Sequence, residues 1–247
     1  VIAFLIYFGS KRKSYIFLSV FLIILVDILI FISMERSAFF LTMLSIIFIL
    51  FFTKKYKLIR LLCFVFSVLV IVTLTIKDEA LKNRMFLHPI LALTETIEKK
   101  HVLTNTHDSL YRTSLQMFEQ NKILGIGPKM YRKHSRDERY VVGSSSFNTH
   151  PHNTYIQLLA ETGLTGFVIF LIFVMTFFYK TIIHFKNLII GKNHLSDFTI
   201  CIMAAIFINI WPIIPTGNFF NNWISIVYYL PLGFYFSSLC QQEKSNS

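Results

Sequence analysis

His150-Pro151-His152-Asn153-Thr154-Tyr155-Ile156-Gln157-Leu158-Leu159-Ala160-Glu161-Thr162-Gly163-Leu164-Thr165-Gly166 runs without a break into the apolar stretch from Phe167 to Tyr179. Polar and ionisable groups are costly to hold at the edge of a bilayer. A segment that brings two histidines, an asparagine, a glutamine and a glutamate there points to a site at a membrane surface, not merely to a span.

The rest of the chain agrees that the setting is a membrane. Hydrophobic residues make up 54% of the 247, and Phe alone supplies 27 of them. Mean hydropathy is +0.59, more apolar than a soluble domain of this length tolerates. The apolar residues are bunched into runs: Tyr15 to Ser33, Ala38 to Phe52, Leu61 to Ile76, Leu164 to Tyr179, Phe198 to Ile214 and Trp223 to Cys240. Each is long enough, or nearly so, to cross a hydrocarbon core of ~30 Å at ~1.5 Å per residue. Val1 to Phe8 reads as the tail of a further run, so the chain is expected to be the C-terminal part of a longer polytopic protein. The expected fold is all-α, a polytopic integral membrane helix bundle with one large, partly helical periplasmic loop. Residues 1–76 hold the partial first span and three full ones, 77–153 the loop, and 154–247 three more spans with a short cytoplasmic tail.

Orientation follows from the basic loops. With six spans threaded in order, Lys11-Arg12-Lys13, the cluster Lys54, Lys55, Lys57 and Arg60, and the loop with Lys180, Lys186 and Lys192 share one side. An excess of Lys and Arg marks that side as cytoplasmic. Met34 to Ser37, the long segment from Lys77 and Gly217 to Asn222 then lie outside. The three cysteines, Cys63, Cys201 and Cys240, sit in or beside apolar runs, so they make neither a disulfide framework nor a metal site in the loop. The net charge of +11 is divided between loop anchors and the external segment, and no RNA- or DNA-binding motif accompanies it. Membrane lipids and an anionic lipid-linked substrate are the better partners, and nucleic acid is not expected.

Chemistry belongs in the external segment. It carries His88, His101, His107, His134, His150 and His152. Ser109 to Glu119 reads as an amphipathic helix capped by Asp108 or Ser109, with Tyr111, Leu115 and Phe118 on its apolar face and Leu110 beside them. Gly125-Ile126-Gly127-Pro128 reads as a tight turn. A zinc site from His134, His150 and His152 fits no familiar ligand spacing. No Asp-x-Asp pair is present, which favours catalysis without a metal or other cofactor. A transporter is the reading from a different class: Asp27 in a span could belong to an ion path, and Asn209, Trp211, Pro212, Pro215 and Asn218 could line a pathway or kink a span.

Tyr111-Arg112-Thr113 on the loop helix, then Ile123-Leu124-Gly125-Ile126-Gly127-Pro128, then His152-Asn153-Thr154-Tyr155-Ile156-Gln157 through Gly166 together resemble the O-antigen ligase family, with its polymerase and protein O-oligosaccharyltransferase relatives. The resemblance is strongest over Ser109 to Gly166. It implies a polytopic protein of the bacterial inner membrane that moves a glycan from undecaprenyl pyrophosphate to an acceptor at the periplasmic face. In ligases that acceptor is a sugar of lipid A–core; other acceptors belong to the relatives. Arg36 matches the family's outer-turn arginine, and Arg112 its loop arginine. Both are expected to hold pyrophosphate, whose oxygens suit the guanidinium fork. The blander readings are an interfacial anchor or a pair with Glu35 for Arg36, and a solvated helix face for Arg112. His152 matches the family's His-Asn and is expected to activate the acceptor hydroxyl. His150 stands by as a substrate contact. Asn153 orients His152 or caps the next helix. Glu161 pairs with an arginine or faces a wet cleft.

Overall fold

The computed structural model describes residues 1–247 apart from 92–93, 95–104, 144–145, 193–194, 214 and 247. His101 and Ile214, both named above, therefore lie outside the described residues. What is described is helical, without strands. The helices are α1 (Ile2–Gly9), α2 (Lys13–Ile32), α3 (Arg36–Phe52), α4 (Lys57–Lys77), α5 (Glu79–Lys82), α6 (Asn105–Gln120), α7 (Tyr131–His134), α8 (Thr154–Ile190), α9 (Asp197–Asn209) and α10 (Asn222–Asn246). A π-turn, Asn83–Leu87, follows α5.

Among the described residues, four helices are long and apolar enough to cross a membrane: α2, α4, α8 and α10 over Asn222–Gln241. The other two expected spans are shorter. α3 has 17 residues, and α9 has 13, about 20 Å of rise. The sequence run from Phe198 to Ile214 thus yields a helix that stops at Asn209, ahead of Pro212 and Pro215. Nearly every side of α9 is covered by protein, with Ile200, Met203 and Ala204 fully buried. The spans themselves turn large apolar side chains outward, among them Phe17, Phe21, Leu62, Leu69 and Ile172. That inversion of a soluble fold is what lipid requires.

The chain divides into two compact units. The first contains residues 1–91, 183–209 and 229–247. There α1 packs on α2 and α9, and α2 on α4. Polar groups inside it tie helices together. Ser67 donates to the buried Asp27 carboxylate at 3.1 Å, and Asp197 accepts the backbone amides of Lys54 and Lys55. Arg60 is buried beside a small cavity shared with Asp27, and its guanidinium has no hydrogen-bond partner among the described protein atoms.

The second unit contains residues 92–182 and 210–228. Its core is Leu110, Met117, Tyr131, Tyr140 and Ala160, with Tyr111 and Ile126 against them. The buried face of α6 is therefore Leu110, Thr113, Ser114 and Met117, one step round from the face expected; Leu115 is exposed. Two hydroxyls make this possible. Thr113 accepts the amide of Val142 at 3.0 Å, and Ser114 donates to its own helix at Leu110, so polar residues occupy the inner face without an unmet hydrogen bond. The helix also begins a turn earlier than expected. Asp108 lies inside it and pairs with Arg112 at 2.8 Å instead of capping.

The two glycine-bearing motifs of the sequence meet backbone to backbone. Ile126 donates to Ala160 at 3.0 Å, Gly127 to Glu161 at 2.9 Å, Leu164 to Lys122 at 2.8 Å and Thr165 to Ile123 at 3.2 Å. At Gly163 the helix α8 breaks its regular geometry, with φ 62° and ψ −159°, a region essentially open only to glycine. A β-carbon on Gly163 would sit on the Ile123 carbonyl, and one on Gly125 would lie 2.5 Å from the Glu161 carbonyl carbon. Gly163→Ala is expected to cost about 3 kcal/mol or more, from strain and clash together. Thermal melts in detergent check it: unchanged melting would mean that the kink is not held by this contact.

Candidate functional site

Glu161 is fully buried on α8. One carboxylate oxygen accepts the backbone amide of Tyr131 at 2.7 Å, and the amides of Lys129 and Met130 also point to it. The other accepts the Gln157 amide at 2.8 Å. Lys129 makes this possible by adopting φ 64°, which turns three successive N–H groups toward one anion. Glu161 thus fastens the chain after the Gly125 turn onto α8. Gln157 carries the network on: it donates to Asn218 at 2.8 Å and accepts from the amide of Phe219 at 3.0 Å. Removing a buried carboxylate leaves these donors unmet. Glu161→Ala is expected to destabilise the fold by about 3 kcal/mol, with Glu161→Gln milder because it keeps an acceptor. Equal melting temperatures for both variants and wild type would contradict this.

The histidines lie at the other end of the same stretch. His150 uses both ring nitrogens. Nε2 faces the Thr216 carbonyl at 3.1 Å, so it carries the proton, and Nδ1 then accepts from the Thr149 hydroxyl at 2.9 Å. Thr216 returns the favour through its own amide, which donates to the His152 carbonyl at 2.8 Å. This grip on both sides holds His152 at φ 58°, a left-handed conformation uncommon outside glycine. The His152 ring lies 4.2 Å from that of His150 and 6.3 Å from that of His107, centre to centre. Its Nε2 is 3.0 Å from the Asn148 side-chain nitrogen.

Asn153 caps α8. Its oxygen accepts the amides of Tyr155 and Ile156 at 3.0 and 3.1 Å, which settles its local role as the N-cap. Its nitrogen donates to Pro212 at 2.7 Å, and Tyr111 on α6 hydrogen-bonds the same side chain. Tyr111 thereby links the loop helix to the cap of α8. One residue on, Arg112 is exposed and paired with Asp108. Arg36 belongs to the first unit, where it is the exposed first residue of α3. His134 stands beside Tyr140 and Asp137, and among the described residues no three His, Cys, Asp or Glu side chains form a metal-holding group.

Three residues of this cluster escape a sequence reading. His107 is one of six histidines in its segment and carries no motif. Asn148 and Thr216 are ordinary polar residues. His107 joins because α6 starts a turn early, and its buried Nδ1 has no hydrogen-bond partner among the described residues. All three ring systems are held below the ordinary histidine value of 6.5: His107 and His150 by burial, and His152 by burial and then by its neighbours His150 and His107. All are therefore neutral at pH 7.

A family model described as O-Antigen ligase matches residues 18–171, more than half the chain. The chain belongs to the O-antigen ligase family. Neither a curated protein nor a solved structure matches it. Membership makes it a multi-pass membrane protein of a glycosyltransferase family that works on lipid-linked glycans. Arg36, Arg112, His150, His152, Asn153 and Glu161 all fall within the matched residues of this O-antigen ligase family member, whereas Thr216, which holds His150 and His152, falls beyond.

The neutral histidines imply a stability limit on the acid side. The unfolded chain takes up protons near pH 6.5, whereas the folded rings do so only at lower pH. Stability is therefore fully present above about pH 6.5 and is lost as pH falls from there through the folded values. Melting temperature followed from pH 7.5 to 5 should fall across that window, and a flat profile would rule out the burial-held neutrality.

Proposed function

We propose that this protein transfers a glycan from undecaprenyl pyrophosphate to an acceptor hydroxyl at the periplasmic face of the bacterial inner membrane, as O-antigen ligation to lipid A–core. The observation that carries the reading is His152: a half-buried, neutral imidazole held in a strained backbone conformation, inside the segment that matches the O-antigen ligase family. Neutrality at pH 7 is what an acceptor of the hydroxyl proton needs.

The step balances simply. The acceptor oxygen attacks the anomeric carbon and its proton passes to His152. The bond from that carbon to the pyrophosphate oxygen breaks, and the electron pair leaves on undecaprenyl pyrophosphate. Direct displacement inverts the carbon, and no metal or other cofactor takes part. Arg112 supplies guanidinium N–H groups to the pyrophosphate, and its exposed place beside Asp108 leaves it open to the headgroup of the lipid-linked donor. Arg36 takes the same role by its residue type and its position at the start of α3. His150 and Asn153 line the acceptor side mainly by holding His152 and α8 in place, and Glu161 braces the site through its loop. Residues 77–153 form the periplasmic loop, with the basic loops of Lys11 to Lys13, Lys54 to Arg60 and Lys180 to Lys192 cytoplasmic. Polymerisation and protein O-glycosylation use the same donor chemistry and differ in the acceptor.

The test expresses the gene for this protein in a cell lacking its own copy. Surface polysaccharide is resolved on a gel at matched membrane expression. Wild type should attach long glycan to lipid A–core, while His152→Ala and Arg112→Ala should leave it on the lipid carrier, with a loss of at least about 100-fold for His152→Ala. Survival of attachment in both variants removes the assigned roles. Altered chain length without attachment makes the protein a polymerase. In a purified assay the acid limb of the rate should lie below pH 6.5, because the rate is lost only as His152 takes up a proton at its lowered value.

A further inference from the structure

Asn148 carries a hydrogen-bonding constraint that reaches His152. Its side-chain oxygen accepts the backbone amide of Thr149 at 2.7 Å. A backbone N–H can only donate, so the atom facing it must be the oxygen. The nitrogen of the same amide is then the atom 3.0 Å from His152 Nε2. An amide nitrogen donates and does not accept. His152 Nε2 must therefore present its lone pair, and the proton of the neutral ring resides on Nδ1.

We propose that Asn148 is a positioning residue that holds His152 as the Nδ1–H tautomer, keeps its Nε2 lone pair aimed and covered, and yields that place to the acceptor hydroxyl. The proposal rests on the reading of His152 as the base. Chemistry on both sides of the transfer fits it. Before the step, the hydroxyl replaces one donor, the Asn148 amide, with another, its own O–H. The proton then moves to Nε2 and the oxygen bonds to the anomeric carbon as the pyrophosphate departs. After the step, both ring nitrogens carry protons, and the Asn148 N–H no longer has an acceptor there. The amide thus favours the neutral ring and disfavours the imidazolium. His150 and His107, the titratable groups that face His152, act in the same direction. Tyr111 faces the neighbouring Asn153, and the Asp108–Arg112 pair on α6 is internally compensated. Asn148 is only half-buried, which leaves room for it to swing aside.

The discriminating variant is Asn148→Asp. A carboxylate still accepts the Thr149 amide, so the local turn is kept, but it offers His152 an acceptor instead of a donor. That should force a proton onto Nε2 and stabilise the imidazolium. The full-length protein is reconstituted in vesicles with undecaprenyl-pyrophosphate-linked glycan and lipid A–core, and transfer is measured from pH 5 to 9. The acid limb of the rate should move up by about one pH unit, a loss of roughly tenfold on that limb, and the high-pH plateau should stay below wild type, because the neutral ring then also carries its proton on Nε2. Asn148→Ala should lower the rate and move the limb up by less than Asn148→Asp does, because it removes the donor that favours the neutral ring without adding an acceptor. Nitrogen NMR of histidine-labelled protein, with His152 assigned through His152→Ala, should show Nε2 unprotonated in wild type and protonated in Asn148→Asp. A wild-type Nε2 that carries the proton overturns the proposal whatever the acceptor proves to be. An unmoved acid limb in Asn148→Asp, with His152→Ala inactive, overturns it while leaving the base reading intact. Transfer that survives in His152→Ala overturns the base reading itself, and the role of Asn148 falls with it.

Discussion

Backbone contact between the Ile123-to-Pro128 turn and the bend of α8 at Gly163 is the constraint on which the second unit depends. Two chain segments can exchange hydrogen bonds at that distance only where neither carries a side chain, and Gly125 and Gly163 supply that absence on both sides. The bend also separates two environments within one helix. Ahead of it, Gln157 and Glu161 are buried in hydrogen-bonded contacts; beyond it, residues such as Val168, Ile169 and Ile172 are exposed and apolar. A lipid-facing helix and a polar site are thereby built from one continuous stretch, with the backbone groups freed at the bend satisfied by the neighbouring turn.

Glu161 and the Gly125 turn act together. The turn delivers three successive amides, and the carboxylate accepts them, so a charge that would be costly to bury becomes the fastening of a loop. The same economy holds at the histidines. Thr216 grips His150 by its carbonyl and His152 by its amide, and this clamp keeps His152 in a backbone conformation it would not otherwise prefer. Burial and mutual proximity keep the rings neutral. Burial acts first at each ring, and only His152 is lowered further by its neighbours His150 and His107.

Some of this site was legible before any coordinates. His152, Asn153 and the two glycine motifs announce themselves by residue type and order, and the turn at Gly125 follows from glycine chemistry; Arg112 is as visible, but its partner in the structure is Asp108 on its own helix. Glu161 was noticed, but its partners are backbone amides, which sequence does not display. The loop helix was foreseen, yet its buried face was misplaced by one position. Apolar periodicity selects Tyr111, Leu115 and Phe118; the structure instead buries Thr113 and Ser114, because their hydroxyls find acceptors and donors nearby. Asn148 and Thr216 were invisible, since neither has a signature apart from the neighbours that tertiary structure provides.

By itself, the sequence determined the all-helical, membrane-spanning character. Those properties follow from local composition: a run of apolar residues partitions into lipid whatever surrounds it. It also carried the family, through motifs that need no contacts to be read. Only the tertiary structure decided which spans reach full length, which face of the loop helix is inner, and how the polar side chains are paired. Hydrogen-bond direction is the physical reason. A histidine, an asparagine or a glutamate has several possible partners, and its protonation and role are set by the one that folding places within about 3 Å.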